Sequence, residues 1–171
     1  MDMSEDFKDD VFLPAGPLRM ELFGESAIAA LTESLRLARE TRWDNLRSPH
    51  VFMGLLVSPD AGVRNWGERL QADLPDLLEK FQELFHQDKG EREPFLVLHR
   101  EFLSDNVIRL LRDAVARARD NGRRLVTSMD LLICLLTSTQ SIVAECFERI
   151  GFTAARLTEL AVIAEHSADG L

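Results

Sequence analysis

The chain has 171 residues, 46% hydrophobic and 29% charged, which fits one domain or two tightly joined halves whose core needs no metal or disulfide. A formal charge of −9 and a pI near 4.9 argue against nucleic acid as a main partner, since binding phosphates needs a basic face. No uncharged apolar run approaches the ~20 residues a bilayer requires, and Cys134 and Cys146, outside any metal-ligand spacing, read as buried thiols of a reducing cytoplasm.

Met1 to Asp10 is acidic and poor in apolar residues, unlike a secretory leader, and reads as a disordered tail. Val11 to Pro17 is apolar but broken by Pro14, Gly16 and Pro17, so it cannot be a helix interior. Phe12 and Leu13 belong to an arm that packs on the domain or, alternatively, docks on another protein. From Ser26 the period is helical: Ile28, Leu31, Leu35 and Ala38 recur at three and four, and Asp44-Asn45 ends the helix. Ser48 then caps a helix with Pro49 in its first position, apolar all round to Val57 and therefore buried. Ser58-Pro59-Asp60 stops it and starts a third helix lined by Val63, Trp66 and Leu70. A fourth runs from about Asp76 to Phe85, with Leu77, Leu78, Phe81, Leu84 and Phe85 inward.

His86 to about Arg100 is polar, broken by Gly90 and Pro94, and reads as a linker; Phe95 to Leu98 is either an extended segment or a helical turn. Ser104 caps a fifth helix that Asn121-Gly122 stops. Thr127 and Asp130 have capping-box spacing before a buried helix to Leu136. A helix with Ile142, Val143, Cys146 and Ile150 ends at Gly151, and Thr153 caps a last one with Leu157, Leu160 and Ile163.

These elements form two copies of one scheme at an offset of 80. Ser48 to Leu56 lies over Ser128 to Leu136, and Ile28, Leu31, Ala38, Val63, Glu68 and Leu77 find Ile108, Leu111, Ala118, Val143, Glu148 and Leu157. Two ungapped copies predict an all-α fold of about eight helices, four per repeat, related by a pseudo-twofold rather than stacked as a solenoid. The expected boundaries are a tail and arm over 1–22, repeats over 23–86 and 101–166, a linker over 87–100 and a polar tail over 167–171.

Signs of catalysis are missing. The nine glycines form no phosphate loop, and the four histidines lack a second ligand at i+3 or i+4. No nucleophile, base and orienter can be assembled from the motifs present. His50, at the start of a buried helix, reads as a structural imidazole rather than a titrating one, and Trp43 and Trp66 as core anchors. The group Arg117, Arg119, Arg123 and Arg124 reads as a solvated helix end that complements the dipole, with a phosphate or acidic-peptide patch as the alternative.

The segment Ser48-Pro49-His50-Val51-Phe52-Met53-Gly54-Leu55-Leu56, repeated over Ser128 to Leu136 with the same flanking helices, resembles the Clp N-terminal domain, the double-repeat module at the front of Clp/Hsp100 unfoldases. The resemblance spans about Ser26 to Ala164. It implies a non-catalytic domain without cofactor or metal that receives adaptor proteins or unfolded and tagged substrates for an ATPase ring. In the branch that binds phosphorylated arginine, a glutamate precedes the motif's histidine; Pro49 and Met129 stand there in this chain and cannot accept a hydrogen bond. The chain carries no Walker motif, and a free-standing Clp-N-like protein is favoured over an excised leading domain.

The resulting expectation is a cytoplasmic binding module, monomeric or weakly dimeric, with no nucleic-acid or membrane partner. Its partner would be a Clp ATPase, an adaptor or a tagged polypeptide. Its contacts would include Pro49, His50, Met129, Asp130, Arg123, Arg124, Phe12 and Leu13. The alternative is a repurposed fold that scaffolds an unrelated complex through its arm.

Overall fold

The computed structural model describes residues 10–87, 94–139 and 141–169. Among these residues eight α-helices are formed: α1 Glu25–Glu40, α2 Ser48–Val57, α3 Ala61–Leu70, α4 Leu74–Leu84, α5 Asp105–Asp120, α6 Ser128–Thr137, α7 Ile142–Glu148 and α8 Ala154–Asp169. Short 3-10 turns at Met20–Leu22 and Arg100–Phe102 precede α1 and α5. Among the described residues only isolated β-bridges occur outside the helices. The expected disordered tail over 1–9 and the polar centre of the linker over 88–93 lie outside the described residues.

The offset of 80 holds at the level of single hydrogen bonds. Gly24 N–H donates to Val126 O at 2.8 Å and Val126 N–H to Leu22 O at 2.9 Å; in the other half Ser104 N–H donates to Leu46 O at 2.9 Å and Leu46 N–H to Phe102 O at 2.7 Å. Each repeat thus ties its entry segment to the loop before the buried helix of the other. This satisfies backbone groups that would otherwise be buried without partners and fixes the two halves as one body.

Helices α2 and α6 are mostly apolar, and all of Pro49 to Leu56 and Ser128 to Leu136 are buried. Around them an aromatic cluster crosses the repeats. Phe52 meets Trp66 edge-on at 6.0 Å, Phe81 at 4.8 Å and Phe147 at 5.8 Å, and Trp66 donates its indole N–H to Leu157 O at 3.1 Å. Gly54 lets α1 and α2 approach closely: a Cβ there would sit 2.2 Å from Ala30 O and from Ser34 Oγ. The glycine of the motif is therefore a packing requirement.

Several expectations need correction. Helix α1 ends at Glu40 rather than Asp44, because Thr41 Oγ1 donates to Leu37 O at 2.6 Å and Arg42 turns left-handed at φ 67°. The cap of α2 is Arg47, with Pro49 in the second helical position. Leu84, expected inward, is 63% exposed; Ile142, Ile150 and Ile163 are also exposed. In α4 Phe81 is fully buried while Leu77, Leu78 and Phe85 pack half-buried against the core as expected, and Phe147 takes the core position in α7. The expected polar tail is helical to Asp169, and Ser167 Oγ accepts from Arg69 at 3.0 Å.

The arm folds back on its own domain. Val11, Phe12 and Leu18 are buried, Leu18 N–H donates to Leu98 O at 3.0 Å, and Arg100 N–H donates to Gly16 O at 2.9 Å. The segment from Phe95 to Leu98 forms no helical turn and ends in a bend at Leu98, closed by His99 N–H donating to Val97 O at 2.8 Å, with Leu96 in the core. Gly16, at φ 109°, is needed where the His99 ring presses on it, 2.3 Å from any Cβ built there.

Candidate protein-interaction surface

The motif's third helical residue acts the same way in both copies. His50 Nδ1 accepts from Arg47 N–H at 3.0 Å, and Asp130 Oδ2 accepts from Thr127 N–H at 2.8 Å, each filling the back-reaching half of a capping box. Both side chains are buried. Desolvation, reinforced by the Arg47 charge, lowers the His50 pKa to about 4, so the imidazole is neutral at pH 7.

What surrounds these two residues differs completely, at three equivalent positions. Around Asp130, Arg117 Nη1 donates at 2.7 Å and Arg123 Nη2 at 2.7 Å, while Glu165 accepts from Arg117 at 2.8 and 2.9 Å. Around His50 the equivalents are Leu37, Trp43 and Phe85: Trp43 stands edge-on to the imidazole at 5.4 Å and donates its indole N–H to Phe85 O. A neutralised ionic quartet in one repeat thus replaces an aromatic and aliphatic one in the other. Burial alone would raise the Asp130 carboxyl, but hydrogen bonds from Arg123, Thr127 and Arg117 outweigh it and hold the group below its ordinary range.

This corrects the reading of the basic group. Arg117 and Arg123 are consumed by Asp130 and Glu165 and are not a solvated helix end; Arg119 and Arg124 are exposed. Of the residues expected to contact a partner, Pro49, His50, Met129, Asp130 and Phe12 lie in the interior, because two of them cap helices and three fill the core. Leu13, 46% exposed, and Arg124 remain at the surface. Met129 and Arg123 border a cleft of about 250 Å³ between the starts of α1, α3 and α6, where Asp60 and Glu165 are also present. Cys134 is equally withdrawn, its thiol pushed up to about 12 by burial.

A larger cleft, about 460 Å³, lies within the first repeat, where the end of α2, the outer side of α3 and the start of α4 meet. Leu56, Val57, Ala72 and Leu74 give it an apolar floor, and Arg64, Glu68 and Asp73 stand at its edge. The second repeat keeps the backbone here: Ala72 N–H donates to Gly67 O and Phe152 N–H to Phe147 O, at 3.0 and 3.1 Å. It places Phe147 and Phe152, in edge-on contact at 6.4 Å, where the first has Gly67 and Ala72. Comparing the copies residue by residue, small against large, was the signal that could have located this cleft in the sequence.

No protein-family model matches the chain, and no curated protein matches it in sequence. Solved structures do match. The N-terminal domain of the chaperone ClpD from Arabidopsis thaliana superposes with a TM-score of 0.66 at 18% identity, covering 85% of this chain and 96% of that one. The fold is that of the Clp N-terminal domain. The Hsp104 N-terminal domain from Candida albicans shares this Clp N-domain fold at a TM-score of 0.63 and 17% identity, over 82% of this chain and 89% of that one. A ClpV N-domain in complex with a VipB peptide shares it at 0.60 and 19%, over 87% and 94%. The double-repeat resemblance read from the sequence is therefore matched in three dimensions, at identities that speak for the fold alone. Among the described residues no single helix of this Clp N-domain fold is long and apolar enough to cross a membrane.

Proposed function

We propose that the chain is a non-catalytic protein-binding module that engages adaptor proteins or substrate polypeptides for a Clp-type unfoldase or protease system. The observation that carries the reading is the cleft of about 460 Å³ in the first repeat, apolar at its floor and charged at its edge, with Ala72 at the position where the second repeat has Phe152. A concave apolar surface with a few polar groups at its rim is the usual shape of a recognition site. The ClpV N-domain solved with a VipB peptide supports it, since that relative in fold is itself a peptide complex. A scaffold that docks through the Val11–Leu22 arm finds no support, because Val11, Phe12 and Leu18 are spent in the core.

The test is direct binding of the purified chain to a Clp-type ATPase ring, to its adaptor and to unfolded casein, alongside an Ala72→Phe variant that copies Phe152 and fills the cleft. Micromolar binding to at least one of them, lost in the variant at unchanged melting temperature, is the expected outcome. If none binds at micromolar concentration, or if the variant binds as well as the wild type, the reading fails.

A further inference from the structure

The cleft of the first repeat has an electrostatic character as well as a shape. From Asp60 to Glu83 the chain carries six carboxylates against three cations. At the cleft itself Glu68 and Asp73 are exposed and neither makes an ion pair among the described residues, whereas Arg64 is the single cation on the rim. The floor includes Leu56 and Val57, the last turn of α2, where a helix presents its negative end. Among the described residues that end is left open: in the second repeat Ser138 N–H caps Cys134 O at 3.0 Å, and α2 has no such bond from Ser58. At the opposite wall the positive end of α4 is already answered by Asp73, whose carboxylate accepts from Asp76 N–H at 3.1 Å.

Resting on the reading of this cleft as the binding site, we infer that it takes an apolar segment of a partner polypeptide flanked by lysine or arginine. The apolar side chains lie on the floor formed by Leu56, Val57, Ala72 and Leu74. A flanking ammonium or guanidinium lies against Glu68 and Asp73 and can donate to the open carbonyls at the end of α2, groups with donors to receive and no side-chain acceptor to spare. An acidic flank would instead bring carboxylates against carboxylates, which rejects it more strongly than a neutral flank does.

The experiment uses the full chain and three short fluorescein-labelled peptides with one Leu-Leu-Val core and lysine, glutamine or glutamate flanks, titrated by fluorescence anisotropy at low and at high salt. The lysine-flanked peptide is expected to bind about tenfold tighter than the glutamate-flanked one, with the gap narrowing as salt rises. Glu68→Lys, on an exposed residue with no structural duty, is expected to close or invert the gap, and Ala72→Phe to remove binding of all three. Equal binding of the three peptides, still lost in Ala72→Phe, overturns the charge preference and leaves the cleft as the site. Tighter binding of the glutamate-flanked peptide overturns it as well. Binding that Ala72→Phe does not touch, or binding of none of the three, overturns the cleft itself.

Discussion

His50 shows how one residue type is chosen by its neighbours. Its Nδ1 accepts the Arg47 N–H, so the proton sits on Nε2, which is buried and without a hydrogen-bond partner among the described residues. The cationic form would lose the Nδ1 acceptor and leave a charge beside Arg47 and the Trp43 ring, with no carboxylate of the kind Arg117 and Arg123 have in Asp130. The unfolded chain takes up a proton here near pH 6.5 and the folded chain only near pH 4. Stability is therefore complete above about pH 7 and falls as the pH drops through that window, by up to about 3 kcal/mol. His50→Gln keeps an acceptor for the cap and removes the titration. Thermal melts from pH 7 to pH 4.5 are expected to fall several degrees less in the variant than in the wild type, at about 2–4 °C per kcal/mol. An unchanged slope would assign the pH dependence elsewhere.

At the scale of elements, the repeats solve the same chain reversals with different residues. Arg42 and Gln71 are left-handed at φ 67° and 57°, and their equivalents Gly122 and Gly151 adopt φ 73° and 95°. A side chain in this region is strained by about 1 kcal/mol relative to glycine. Gln71 is exposed, so Gln71→Gly is expected to stabilise by about 0.5–1 kcal/mol and Gly151→Gln to destabilise by a similar amount, read as opposite shifts of the urea midpoint at constant slope. Nothing lies within 4 Å of a Cβ built at Gly151, so the second effect reports backbone conformation alone. Both glycines of the second repeat were legible as stops because glycine is the residue such turns favour. The stop at Arg42 was not, since arginine gives no local sign of φ > 0, and the helix end was read too late.

For the whole molecule the arm decides whether the domain is closed. Phe12 is fully buried against the core, with the Arg100 guanidinium 5.6 Å from its ring centre. Phe12→Ala is expected to cost about 3–5 kcal/mol, a fall of roughly 10 °C in Tm measured by calorimetry. A variant that melted with the wild type would place the arm off the core in solution. The arm's apolar content was plain in the sequence, but its placement depends on bonds to Leu98 and Arg100 about 80 residues away, which no local pattern encodes.

The sequence by itself determined the all-α class, the buried helices and the pseudo-twofold, because an apolar period of three and four and an ungapped offset are properties of the chain read in order. Trp66 and the Thr127–Asp130 capping box were equally plain, one a large apolar side chain in helical register, the other a contact three residues long. The proposed binding surface belongs to the tertiary structure. Asp130, Arg117, Arg123 and Glu165 look like surface charges until three helices bring them together and neutralise them. Ala72 looks like an unremarkable small residue until the end of α2 and the start of α4 meet beside it at the cleft. Side chains far apart in sequence share a dielectric and a volume only once the chain is folded, and those two quantities decide which charges are buried and which cleft stays open.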